Sequence, residues 1–147
     1  MNIVASGMTA QQLRLDVVAE NVTNSTTTRT EAGGPYRRKM VVFQSVAGRD
    51  DFRAAMARAA GGLAPNTGAS PAGGVRVTQI VEDPSPMKLV YDPAHPDANE
   101  DGYVEMPNVD MVKEMTDAMA ATQAYSANVT AFNTLKSVVA KGLEIGR

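Results

Sequence analysis

The stretch TQAYSANVTAFNTLKSVVAKGLEIG, residues 122–146, has no proline and no glycine before Gly142. Its apolar residues recur three and four apart, the spacing of one helix face. Extended upstream, the pattern takes in positions 111, 115, 118, 122, 125, 129, 132, 136, 139 and 143. These hold Met, Met, Ala, Thr, Tyr, Val, Phe, Lys, Val and Leu, so eight of ten are apolar. A helix from Met111 to Ile145 would be roughly 50 Å long at the α-helical rise. Asn108 or Asp110 can cap its start, and Asp110 and Glu114 suit the positive end of its dipole.

The opposite end of the chain carries a shorter partner. Met1, Val4, Met8, Gln11, Leu15, Val18 and Val22 repeat with the same spacing, and six of the seven are apolar. This predicts a helix that ends near NSTTT, residues 24–28, where hydroxyl and amide side chains compete for backbone hydrogen bonds.

Between the helices the composition changes. YRRKMVVFQ (36–44), GVRVTQIVED (74–83), MKLVY (87–91) and GYVEMP (102–107) read as strands, the second with an irregularity. They sum to a small antiparallel sheet. DDFRAAMARAA reads as a short helix and the Gly/Ala/Pro-rich stretch 61–74 as a mobile loop. The predicted class is α+β: long N- and C-terminal helices paired as an antiparallel coiled coil, with a small antiparallel β region and the mobile loop between them. The predicted parts are 1–26, 27–107 and 108–147, the first and last forming one helical unit.

The totals exclude several functions. The chain has 147 residues, 14 basic and 16 acidic, a net charge of −2, and no Cys. That balance offers no electrostatic footprint for nucleic acid or an anionic membrane. Thiolate metal sites and thiol catalysis are excluded. No apolar run reaches the length of a membrane span. MNIVASGM lacks a basic flank and runs straight into TAQQLR, so it does not read as a secretory signal. The chain has nine Met, four Tyr, three Phe and no Trp, which favours soft, adaptable packing over rigid aromatic filling.

Short motifs resolve to bland readings. Asp97, Asn99, Asp101 and Gly102 match the opening of a calcium loop, but position twelve is Asn108 rather than Glu, and Pro93 and Pro96 occupy the place of the preceding helix. A polar turn is the better reading. His95 is the only His, so neither a zinc site nor a Ser-His-Asp arrangement has support. No P-loop, dinucleotide or G-x-S-x-G fingerprint is present. The expected catalytic residues, metal ligands, cofactors and small-molecule substrates are therefore none. Three glycosylation-type sequons begin at Asn21, Asn24 and Asn128. A glycan there would block helix packing, so these asparagines read as residues that end helices, fix their register or lie exposed on them. Arg37, Arg38 and Lys39 alternate faces of a strand. They read as a solvated, protected sheet edge or as salt-bridge partners of an acidic neighbouring subunit.

Two arrangements suit the helices. They form a hairpin packed on the chain's own sheet, or they are buried against other chains. The shorter N-terminal helix covers only part of its partner. Leaving the rest in water forgoes about 1.5–3 kcal/mol per Val, Leu or Met and exposes a strip that soluble monomers rarely carry. Intermolecular burial is favoured. The predicted assembly surface comprises Val4, Met8, Leu15, Val18, Asn21, Val22, Asn24, Met111, Met115, Tyr125, Asn128, Val129, Phe132, Val139 and Leu143. Met111, Met115 and Met119 would tolerate inexact neighbours.

AENVTNST (19–26), with Asn21, Val22, Thr23 and Asn24, resembles the flagellar basal-body rod and hook family. So does the late pattern of Tyr125, Ala127, Asn128, Thr134, Leu143 and Gly146. PYRRKMVVFQ (35–44), LVYDPAHPDANEDGYVEMPNVD (89–110) and the following VDMVKEM narrow the likeness to proximal rod members. The resemblance implies a structural subunit rather than an enzyme. It implies type III export without a Sec signal, and helical assembly with copies of itself and other rod proteins in the periplasm-spanning rod. Family chains usually carry several more residues before the first helix, whereas here Met1 is expected almost at the helix start. The competing reading is a soluble helical-hairpin module that docks a partner helix.

Overall fold

The computed structural model describes residues 2–46, 59 and 73–145. The short helix expected at 50–60 and the loop expected at 61–74 lie outside the described residues, apart from Ala59, Gly73 and Gly74. Helix α1 spans Asn2–Thr23 and helix α2 spans Met111–Ile145. Between them come strands β1 (Lys39–Ser45), β2 (Val75–Glu82), β3 (Lys88–Tyr91) and β4 (Tyr103–Met106).

Helix α1 stops where the NSTTT cluster begins. The Asn24 side-chain amide donates to the Glu20 carbonyl at 3.0 Å. Thr27 in turn donates its hydroxyl to Asn24 Oδ1 at 3.2 Å. The same Glu20 carbonyl accepts the Asn24 backbone amide at 3.0 Å, so both nitrogens of Asn24 close the last turn. Helix α2 begins at a side-chain cap: the Val112 amide donates to Asp110 Oδ1 at 3.1 Å. Asn108, the other candidate cap, serves the strands instead. Its carbonyl oxygen accepts from the Arg38 amide at 2.8 Å, and its amide donates to the Asp83 and Ser85 carbonyls.

The four strands form two separate two-stranded antiparallel ladders rather than one sheet. β1 pairs with β2 from Lys39↔Glu82 to Ser45↔Val75. Val42 faces Gln79 while Phe43 faces Val77, so Thr78 is the extra residue of a bulge in β2. This is the irregularity expected within that strand. β3 pairs with β4 from Lys88↔Met106 to Tyr91↔Tyr103. Pro84 and Pro86 separate the ladders. Neither has an amide proton to donate, so a strand continuing β2 would lose ladder hydrogen bonds at both positions.

The helices pair antiparallel. Asn21 meets Glu114, Arg14 meets Asp117, and Gly7 lies against Asn128. The line of closest approach on α1 thus runs through Gly7, Arg14 and Asn21, with Ala10, Val17 and Val18 buried. Of the expected seam, Val18 is buried there, while Val4, Met8, Leu15 and Val22 flank the line half-buried, so the contact face is rotated from that seam. The reason is size and pairing. Gly7 and Ala10 let the helices close, and the polar residues find partners across the gap.

Candidate functional site

Where α1, β1 and α2 meet, the chain buries a connected polar cluster. Asn21 is 1% exposed and Glu114 has no exposed surface. Asn21 donates its amide to the Lys39 carbonyl at 2.9 Å and to Glu114 Oε2 at 3.0 Å. Its oxygen accepts from the Tyr36 hydroxyl at 3.0 Å and from the Lys39 amide at 2.8 Å. One side chain thereby fixes the end of α1, the start of β1 and the first turn of α2.

Arg38 supplies the matching charge. Its Nε donates to Glu114 Oε1 at 2.6 Å, and its other nitrogens reach Asp83 at 3.5 Å and Asp117 at 3.3 Å. Burial works against the Arg38 charge. The hydrogen bond to Glu114 and the charges of Glu114, Asp117 and Asp83 outweigh it and hold the guanidinium above its ordinary pKa. The Ser85 hydroxyl and amide, aided by Arg38, hold Asp83 below the usual carboxylate range. Arg14 bridges to Asp117 at 2.8 Å. Tyr36 is pushed up to about 12, first by burial and then by the charges of Glu20, Glu114 and Glu82. Lys39 pairs with Glu20 and lies 5.6 Å from the Tyr36 ring centre.

This corrects the reading of the basic run. Arg38 is an internal hub because the start of β1 passes over the start of α2, which presents Glu114 and Asp117. Arg37 is exposed. An open groove of about 330 Å³ flanks the cluster, lined in part by Val17, Met40, Val41 and Phe43. The acids and bases beside it are already engaged with one another. The arrangement positions α1, β1 and α2 relative to one another. Among the described residues, no group of three or more His, Asp or Glu is placed to hold a metal ion. The residues of the calcium-like motif serve their turn. Asn99 Oδ1 accepts from the Asp101 and Tyr103 amides at 3.1 and 2.8 Å, and His95 Nδ1 accepts from the Asp97 amide at 3.1 Å.

The second feature is the far end of α2. The pairings of 21 with 114 and 7 with 128 place the start of α1 beside residues near 133 of α2. Beyond that level residues 133–144 of α2 are all exposed. Leu135, Val138, Val139 and Leu143 lie there, Leu143 at 71% exposure.

Of the residues expected at an assembly surface, Val18 and Asn21 are buried within the chain. Val4, Met8, Leu15, Val22, Asn24, Tyr125, Asn128, Val129 and Phe132 are half-buried, while Met111, Met115, Val139 and Leu143 are exposed. Sequence reasoning missed Tyr36, Arg38, Asp83, Glu114 and Asp117 as a group. One signal was available. Arg14 and Asn21 repeat seven apart on α1, and Glu114 and Asp117 lie one turn apart on α2, as complementary polar rows would.

Residues 1–29 match the family described as Flagella basal body rod protein. Residues 100–145 match Flagellar basal body rod FlgEFG protein C-terminal. The flagellar basal-body rod protein FlgC of Bacillus subtilis is 46% identical over 152 residues, spanning 100% of this chain and 96% of that one. The chain belongs to the FlgC family of flagellar basal-body rod proteins. The FlgC proteins of Borreliella burgdorferi and Escherichia coli O157:H7 are each 42% identical, covering 99% of this chain and 94% and 95% of theirs. The two matched segments contain both long helices. The FlgC likeness over the full chain takes in the polar junction as well.

Proposed function

We propose that this chain is a structural subunit of the proximal rod of the bacterial flagellar basal body. It assembles helically with copies of itself and with other rod proteins, and the rod carries motor torque across the periplasm. The subunit has no catalytic role. It is exported by the flagellar type III apparatus and does not insert in a membrane; no described helix is long and apolar enough to cross one. The terminal segments 1–26 and 108–147 act as one assembly unit, and 27–107 braces it.

The observation that carries this reading is the uncovered apolar end of α2, inside the segment shared with other rod proteins. A long exposed apolar strip calls for a neighbour. Met111, Met115, Val139 and Leu143 are the parts of the proposed surface that one chain leaves open. The polar junction suits a torque-bearing part, since a fully paired buried network fixes geometry that apolar packing alone leaves looser.

Removal of the chain from its own bacterium tests the proposal. Cells without it should build no rod, hook or filament, and a plasmid copy should restore all three. Normal flagella in its absence would overturn the reading.

A further inference from the structure

We propose that the uncovered end of α2 in one copy docks on the outer face of the β3–β4 hairpin of a second copy, a head-to-tail contact. The inference rests on the rod reading and names one surface pair within it.

The hairpin has two unequal faces, because side chains alternate along a strand. Val104 points inward and is 2% exposed. Leu89, Tyr91 and Tyr103 stand on the other face, with Leu89 at 64% and Tyr91 at 65% exposure. Tyr91 and Tyr103 are cross-strand partners whose rings meet edge to face at 5.2 Å. They form a rigid aromatic platform, the kind of group that anchors interfaces. Glu105 stands opposite Leu89 at its margin.

One chain cannot join its own two patches. The Lys88 ammonium donates to the Val109 carbonyl at 2.6 Å, which ties the hairpin to the start of α2. The uncovered end begins about 24 residues later, roughly 36 Å along the helix axis. The patches lie toward opposite ends of a stiff element, so each needs another copy.

Charge selects the pairing. Asp92, Glu100, Asp101 and Glu105 lie on the hairpin's β4 strand and connecting turn and form no ion pair among the described residues. The helix end carries Lys136 and Lys141 against the single Glu144 over residues 133–145. Apolar surfaces rimmed with opposite charge attract and orient one another. Two different patches on one molecule give a heterologous contact, which extends into a filament when its rotation does not close.

The chain has no native cysteine, so introduced thiols report unambiguously. Full chains carrying Tyr91→Cys and Val139→Cys are co-expressed in the flagellated bacterium, and basal bodies are isolated after mild oxidation. The expected product is a disulfide-linked heterodimer, several-fold above a Thr78→Cys and Val139→Cys control pair. In a second set, Lys136→Glu with Lys141→Glu lowers the cross-link yield, and adding Asp101→Lys with Glu105→Lys restores it. Chains that reach the basal body without cross-linking above control would overturn this contact and leave the rod reading standing. Cross-linked pairs outside basal bodies that never contain the chain would keep the contact and remove the rod reading. Failure of both cross-linking and incorporation would overturn both.

Discussion

Glu114 carries a carboxyl group with no exposed surface, and among the described residues it is buried alongside Asn21, Pro107, alanines, valines and Tyr36. Burying such a group is unfavourable unless charge and hydrogen bonds meet it. Arg38 and Asn21 meet both oxygens. Arg38→Met would leave Glu114 buried without its cation, so urea unfolding should show a loss of about 3 kcal/mol. Arg38→Met combined with Glu114→Leu should recover much of that loss, because no unpaired charge remains. Tyr36 gives a pH signature at the same place. Its folded pKa is about 12 against an ordinary 10.0. Between these values the unfolded chain loses the phenolic proton and the folded chain keeps it, so stability falls as pH rises across that window. Urea midpoints at stepped alkaline pH should show a decline that Tyr36→Phe lacks.

At the scale of elements, the β1–β2 ladder is pinned to α1 through Gly74 and Ser6. Gly74 has φ +126°, a conformation L side chains rarely adopt, and a Cβ there would overlap the Ser6 hydroxyl. That hydroxyl donates to the Ile3 carbonyl at 2.7 Å and accepts from the Val75 amide at 3.1 Å. Gly74→Ala should therefore cost about 2–3 kcal/mol in thermal or urea unfolding, combining backbone strain with the displaced hydrogen bonds. Ser6→Ala should cost about 1 kcal/mol. The elements themselves were legible in the chain. Three-four spacing marks both helices, and β-branched runs between turn residues mark the strands. The division into two ladders was not read, although Pro84 and Pro86 stood in view. Arg38 was also misread, because a strand pattern shows which face a side chain takes but not what crosses that face. The seam of α1 was set by apolar residues, whereas Gly7 and Ala10 govern closest approach through their small size.

At the scale of the whole molecule, the two helices differ in length by 13 residues, 35 against 22. That difference reappears as the stretch of α2 beyond α1. An isolated helix shorter than about 12–15 residues is marginal in water. This end is propagated from a packed helix, and along 133–144 all side chains are exposed. In the purified monomer, amide hydrogens after residue 133 should exchange much faster than those at 114–128, which face α1. In isolated basal bodies the same amides should be protected, because a neighbour then buries Leu135, Val139 and Leu143. Truncation after Asn133 should leave the monomer's urea midpoint nearly unchanged and abolish incorporation into the rod. Equal protection in monomer and rod, or normal incorporation of the truncated chain, would show that this end is not where subunits join. The Asn21–Glu114 junction would then have to be carried into the rod by some other face of the molecule.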